Sequence, residues 1–284
     1  MSKKRLMMGL VFIVMIFATA CLSGDDKSVY LGLDVPLDKS VYREGDGEKV
    51  IAATVSIMGD SLKRSTVPIL MYHAIDEYKG KGINELYVTP ANFESQLNYL
   101  KTAGFSPIQF DDLSNIQNIE MPILITLDDG YKNNINAFNI LKKLNSPSFQ
   151  AKATIFVIGR KIDTETGLTA EQLKEMSDSG IISVQSHTIT HPSLPLVTNF
   201  AEELGESKAK IEAITGKKVS AIAYPSGEYD SNVIAETKKY YDYAVTTKPG
   251  VANLDASHYE MKRIRINYST SLAEFESLLN GVSN

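Results

Sequence analysis

The sequence predicts an α/β domain organised around a parallel sheet, open or closed into a barrel. Two observations lead there. From Val67 onward, short apolar runs alternate with segments of helical periodicity, the pattern of strands joined by helical crossovers. The residues able to do chemistry follow those apolar runs, where parallel α/β folds carry their sites. A closed barrel of this kind can fill about 200 residues or more as one unit, so residues 67–284 are read as a single catalytic domain.

Taken in order, the chain opens with Lys3, Lys4 and Arg5, followed by an uncharged and mostly apolar run from Leu6 to Ala20. A membrane span needs about 20 apolar residues, and this run is shorter. A basic start, an apolar middle and the small residues Ala18-Thr19-Ala20 form a secretory signal over residues 1–20. Cys21, the only cysteine, follows at once. The arrangement resembles a bacterial lipoprotein signal, which implies lipidation of Cys21 and anchoring to the outer face of the cell membrane. The other reading is an ordinary secretory signal beside a chance cysteine, giving a secreted protein. Residues 21–66 begin with Ser23-Gly24-Asp25-Asp26-Lys27-Ser28 and read as a polar tether with short strands such as Val50–Ile57.

In the domain, Pro68–Tyr72 reads as a strand. Thr89-Pro90 gives an N-cap and a proline at the first helical position, and Phe93, Leu97, Tyr99 and Leu100 supply the buried face up to Gly104. Pro122–Leu127 is a buried strand, followed by a helix through Ile135, Phe138, Leu141 and Leu144. The strand Ala153–Ile158 precedes a helix from Thr169 to Gly180, and the strand Ile181–Gln185 leads to a histidine pair. A helix over Ala201–Ile214, the strand Val219–Tyr224, a helix over Asn232–Tyr240 and the strands Tyr243–Thr247 and Arg263–Ile266 complete the set.

Composition narrows the functional classes. With 43% hydrophobic and 22% charged residues the chain is neither disordered nor collagenous, and one cysteine excludes an intramolecular disulfide. The net charge is −5, and loss of three basic residues with the signal takes it to −8. There is no basic stripe, so no nucleic-acid partner is expected, and the domain is expected to be a monomer.

Histidine is scarce: His73, His187, His191 and His258. His187 and His191 have i, i+4 spacing, which on a helical turn puts both imidazoles on one side and suits a metal ion. Asp128-Asp129-Gly130 ends the strand Pro122–Leu127. A carboxylate and two histidines leave an open coordination position, as a hydrolytic zinc site requires. One aspartate can then ligate while its neighbour takes a proton from water.

These residues carry a family resemblance. Thr126-Leu127-Asp128-Asp129-Gly130-Tyr131 resembles the first motif of the polysaccharide deacetylases (NodB homology, carbohydrate esterase family 4). Ser186-His187-Thr188-Ile189-Thr190-His191-Pro192 resembles the second and Ala223-Tyr224-Pro225-Ser226-Gly227 the third, in the family's order. The resemblance implies a distorted (β/α) barrel and removal of N-acetyl groups from an N-acetylated glycan polymer. It implies Asp128 as base, Asp129, His187 and His191 as ligands to zinc (cobalt or nickel being alternatives), and the Tyr224 backbone N–H as an oxyanion donor. Two positions depart from it. The arginine that opens the third motif is replaced at Ala221 or Ala223, and the late acidic histidine is absent from Ile264–Asn267. Pro68–His73 resembles an early motif of the branch acting on poly-N-acetylglucosamine, which implies His73 as the acid, with His258 as the fallback. Arg263 either stands in for the absent arginine or is a solvated edge charge. The alternative function is a surface lipoprotein that binds glycan on this scaffold without turnover.

Overall fold

The computed structural model describes residues 65–280. Residues 1–64, on which the expected signal, Cys21 and most of the expected tether fall, lie outside the described residues. In chain order the elements are strands β1 (Thr66–Val67), β2 (Ile69–Tyr72), β3 (Ala74–Ile75) and β4 (Tyr87–Val88), then helix α1 (Pro90–Thr102). Strands β5 (Ser106–Ile108) and β6 (Pro122–Leu127) precede α2 (Asn134–Leu144), β7 (Ala153–Val157) and α3 (Ala170–Asp178). Next come β8 (Ile182–Ser186), α4 (Ser207–Thr215), β9 (Ala221–Ala223) and α5 (Ser231–Thr237). Strands β10 (Tyr243–Pro249), β11 (Ala252–Asn253) and β12 (Met261–Arg265), with α6 (Leu272–Asn280), finish the chain.

Strands β2, β12, β10, β9, β8, β7 and β6 hydrogen-bond in that order, and β6 returns to β2, pairing Ile69 with Leu124 through to Tyr72 with Leu127. The result is a closed, all-parallel barrel of seven strands with helices outside it. The short β5 lies on the first half of β6, outside the ring.

Period-two alternation sorts the side chains. Leu70, Tyr72, Ile125, Leu127, Ile155 and Val157 point outward and form one core with Leu97, Phe138, Leu141 and Leu173 from the helices. Ile69, Leu124, Phe156, Val245 and Met261 point inward and fill the lower barrel. Each fully buried aliphatic or aromatic side chain contributes roughly 1.5–3 kcal/mol, so these two clusters stabilise the ring from both faces. The lower end is closed by a short 3₁₀ segment, Phe110–Asn118, whose Phe110, Leu113 and Ile116 join the inner cluster.

Helix starts follow local chemistry. Thr89 caps α1 by accepting from Asn92 N–H, with proline at the first position. Thr169 and Gln172 form a reciprocal capping box on α3. The helix expected over 201–214 instead begins as a π-helix, Ala201–Glu206, and becomes α-helical only at Ser207. Glu203 and Leu204, both within the wider turn, are its buried residues.

Candidate active site

The site occupies the C-terminal end of the barrel strands, and strand alternation delivers most of it. Thr126 and Asp128 share the inner face of β6 and its extension, and Gln185 and His187 share that of β8. Asp128 N–H donates to Tyr72 O at 3.0 Å, continuing the β2–β6 ladder and bringing His73 alongside Asp128.

Asp129 would face outward on a continuing strand. Instead it lies at φ 72°, in the left-handed region that aspartate tolerates better than most residues. The reversal brings its carboxylate back over the barrel: Oδ1 stands 3.4 Å from His187 Nε2 and 3.8 Å from His191 Nε2. The next residue, Gly130, is also left-handed, at φ 62°, and a Cβ there would lie 2.8 Å from Val157 Cγ1. Only glycine fits at that position, so the turn and the ligand direction are set together.

The two histidines converge, but not on a helical turn. Thr188 has φ 63° and His191 φ 60°, which a right-handed helix cannot contain. The 187–191 segment is a loop held by its own polar groups. His191 N–H donates to Thr188 Oγ1 at 2.9 Å, and Thr188 N–H to Ser186 Oγ at 3.2 Å. Glu203 accepts from Ile189 N–H (3.0 Å), Thr190 N–H (2.9 Å) and the Thr190 hydroxyl (2.6 Å). The expectation of a helical turn is thus corrected, and Glu203 is a contributor that sequence reading missed.

The donor set of Asp129, His187 and His191 fits a divalent cation. Its ligand atoms all lie within 4.8 Å of one another. Ligands about 2.0–2.2 Å from a tetrahedral zinc stand about 3.3–3.6 Å apart, close to the carboxylate–imidazole separations here. His187 Nδ1 lies 2.7 Å from Ala223 O and must carry the proton to donate there, which leaves the Nε2 lone pair for a metal. With no cation bound, His187 Nε2 also takes up a proton, helped by Asp129; burial pushes the Asp129 carboxyl up, but the hydrogen bond and charge of that imidazolium outweigh it and hold the group far below the usual carboxylate range.

Asp128 is gripped by Arg263. Nη1 donates to Oδ1 and Nη2 to Oδ2, both at 2.7 Å, a bidentate fork. The same guanidinium donates to Thr246 O (2.8 Å) and Thr126 Oγ1 (3.1 Å) and sits 5.9 Å from the Phe156 ring centre. Arg263 is 0% exposed and Asp128 2%, which removes the edge-charge reading of Arg263. Burial pushes Asp128 up, and Arg263, by charge and by hydrogen bonding, wins and holds it ionised.

His73 Nε2 lies 4.0 Å from Asp128 Oδ2. Asn134, at the start of α2, donates to His73 O at 2.7 Å and fixes the backbone there. Burial pushes the imidazole down to about 4, against the pull of Asp128 and Asp129. His258 lies elsewhere: it is exposed, its Nε2 is 3.0 Å from Leu254 O, and its ring meets Tyr243 at the first residue of β10, the opposite end of the barrel.

Tyr224 requires a correction. Its N–H donates to Val245 O at 3.1 Å, extending the β9–β10 ladder, so the donor assigned to an oxyanion is already used. Its ring belongs to the outer core and stacks on Tyr229 at 5.1 Å. Two residues on, Ser226 lies at φ 55° in a tight turn, and its N–H has no hydrogen-bond acceptor among the described residues. At the rim, Tyr78 meets Tyr87 at 5.4 Å and Tyr268 at 6.1 Å, and Lys161 Nζ lies 3.4 Å from the Tyr131 ring centre.

With this geometry in place, comparison with known proteins is informative. A family model described as polysaccharide deacetylase matches residues 116–244. The chain is 34% identical over 229 residues to YxkH of Bacillus subtilis (strain 168), assigned by its name to the polysaccharide deacetylases, with 78% of each chain covered. The crystal structure of BC0361, a polysaccharide deacetylase from Bacillus cereus, is 49% identical with a TM-score of 0.73, covering 75% of this chain and 69% of that one. The Streptococcus pyogenes deacetylase PplD, solved in complex with acetate, is 29% identical with a TM-score of 0.68, covering 75% of this chain and 97% of that one.

Proposed function

The chain belongs to the polysaccharide deacetylase family, and on that premise we propose that it is a metal-dependent hydrolase of N-acetyl groups on a polymer containing N-acetylglucosamine, either poly-N-acetylglucosamine or peptidoglycan. The observation that carries this reading is the pairing of a buried, ionised Asp128 in the fork of Arg263 with an adjacent triad of metal-ligand type. A protein that only bound glycan would have no use for a proton acceptor beside such a triad. The binding-only alternative is motivated by two missing motif residues, the arginine at 221 or 223 and the late histidine; Arg263 stands against Asp128 in place of the first, and His73 lies 4.0 Å from it as the candidate for the second.

Asp129, His187 and His191 would hold the cation. When bound, a divalent ion such as zinc polarises the acetamide carbonyl and lowers the pKa of a water molecule. Asp128 accepts the proton of the attacking water, and the two Arg263 N–H groups keep its oxygens oriented and charged beforehand. The Ser226 N–H is the free backbone donor of the third-motif turn and takes the oxyanion role that Tyr224 cannot fill. His73 starts neutral, because burial has lowered its pKa to about 4. Once Asp128 is protonated, the proton passes to His73 Nε2 across the present 4.0 Å gap, which tightens when substrate excludes water. His73 then delivers it to the departing sugar amine, and acetate leaves. Acetate is also the molecule bound in the PplD structure.

Export through residues 1–20 and a lipid on Cys21 place the domain at the outer face of the cell membrane in this reading, as a monomer acting on surface glycan. The tyrosines at the rim offer amphipathic rings to sugar faces. The test is acetate release from defined oligomers of N-acetylglucosamine and from peptidoglycan fragments, with and without chelator. Chelator-sensitive release from at least one glycan is expected, and no release from any of them with zinc or cobalt supplied refutes the proposal.

A further inference from the structure

Glu203 is a carboxylate with no catalytic assignment, 8% exposed, carried on a π-helix directly behind the His187–His191 loop. All three hydrogen bonds that its carboxylate accepts come from that loop. One oxygen accepts from two consecutive backbone N–H groups, those of Ile189 and Thr190, and the other from the Thr190 hydroxyl, so the carboxylate fills a small anion-binding concavity of the main chain. The opposite side of the loop is held by Gly159 N–H on Thr188 O and Arg160 N–H on Ile189 O, both at 2.9 Å. A side chain at 159 would meet Ile189 Cδ1 at 2.7 Å, so this approach is as close as the backbone permits.

The loop needs such a clamp. It contains two non-glycine residues in the left-handed region, Thr188 and the ligand His191 itself, a conformation that persists only when its surroundings impose it. His191 is also the more exposed ligand, its side chain 32% accessible against 3% for His187, and the backbone group recorded against its ring is its own rather than that of another strand, as Ala223 is for His187. Its place therefore depends on the backbone that carries it.

We infer that Glu203 is a positioning residue for the metal site, which holds residues 188–191 in the loop conformation, left-handed at Thr188 and His191, that brings His191 to Asp129 and His187. The inference rests on the metal reading above and extends it to a residue outside the family motifs. The π-turn at Ala201–Glu206 has a function in this account: it aims Glu203 at the loop while Leu204 stays in the core.

The test is Co²⁺ affinity, measured on the full chain by competition with a chromophoric chelator, together with the visible absorption of the bound ion. Glu203→Leu is expected to weaken Co²⁺ by about tenfold or more and to alter its spectrum, with far-UV circular dichroism unchanged. Glu203→Gln keeps an oxygen for the two N–H groups and an amide hydrogen for the Thr190 hydroxyl, so it should stay within about threefold of the parent. Thr190→Val removes one of the three bonds and should fall between, which keeps the test open if the leucine variant does not fold. Parental affinity and spectrum in both Glu203→Leu and Thr190→Val overturn the inference, as does a glutamine variant as weak as the leucine one. A parent chain that binds no Co²⁺ is a different result: it removes the metal reading, and the inference falls with it.

Discussion

Replacing Arg263 by methionine tests the arrangement at Asp128 most severely. The substitution keeps an apolar stem and removes four donated hydrogen bonds, two of them to a carboxylate that is 2% exposed. An ionised carboxylate left in that place has no other cation in hydrogen-bond contact among the described residues. Breaking a buried pair by removing one partner costs about 3–5 kcal/mol, and a fully closed fork belongs at the upper end. Part of the cost can be relieved by protonating Asp128. The penalty should therefore shrink as pH falls, and the acid limb of the activity profile should move to higher pH. The assay is urea unfolding of the parent, Arg263→Met, Asp128→Asn and the double variant, followed by circular dichroism. The double variant should recover about 2 kcal/mol or more relative to the sum of the singles. A cost below about 1 kcal/mol for Arg263→Met, or strict additivity in the cycle, would refute the claim that this pair organises the site.

Three further outcomes follow from the same geometry. His73→Gln should retain metal and lower kcat by about a hundredfold or more, whereas His258→Ala, at the opposite barrel end, should leave kcat unchanged; steady-state acetate release on both variants checks this. Between pH 4 and 6.5 the unfolded chain binds a proton at residue 73 that the folded chain refuses, so metal-free stability should rise with pH across that window. The contribution is about 3 kcal/mol at most, and His73→Gln should flatten that part of the stability–pH curve. Gly130→Ala meets both a left-handed backbone and Val157, so it should cost about 1–3 kcal/mol and weaken metal retention, as read by thermal unfolding and metal content.

Much of the barrel was legible because its causes are local. Ile69–Tyr72, Pro122–Leu127 and Ala153–Val157 are uncharged runs that only a doubly buried strand explains, and Thr89-Pro90 and Thr169 mark helix starts by capping chemistry. The face shared by Thr126 and Asp128 follows from a period of two. What escaped depends on long-range or backbone-specific geometry. Phe110–Asn118 closes the barrel floor because of what lies above it, and nothing in its own pattern says so. The histidine spacing suits a helical turn, yet the same spacing is met by a loop with two left-handed residues, which the sequence marks only through the threonines and a glutamate twelve residues beyond His191. Arg263 could be either a partner of Asp128 or an edge charge until the ring closed and placed β12 beside β2. The Tyr224 expectation failed because a strand residue's N–H belongs to the ladder first.

The central claim is that two adjacent aspartates divide the work, Asp129 holding the cation and Asp128 handling the proton. The direct measurement is zinc content and acetate release in Asp128→Asn and Asp129→Asn side by side. The account predicts that Asp128→Asn keeps its zinc and loses acetate release, while Asp129→Asn loses both. Zinc lost from Asp128→Asn and kept by Asp129→Asn, or undiminished acetate release in either, would contradict it.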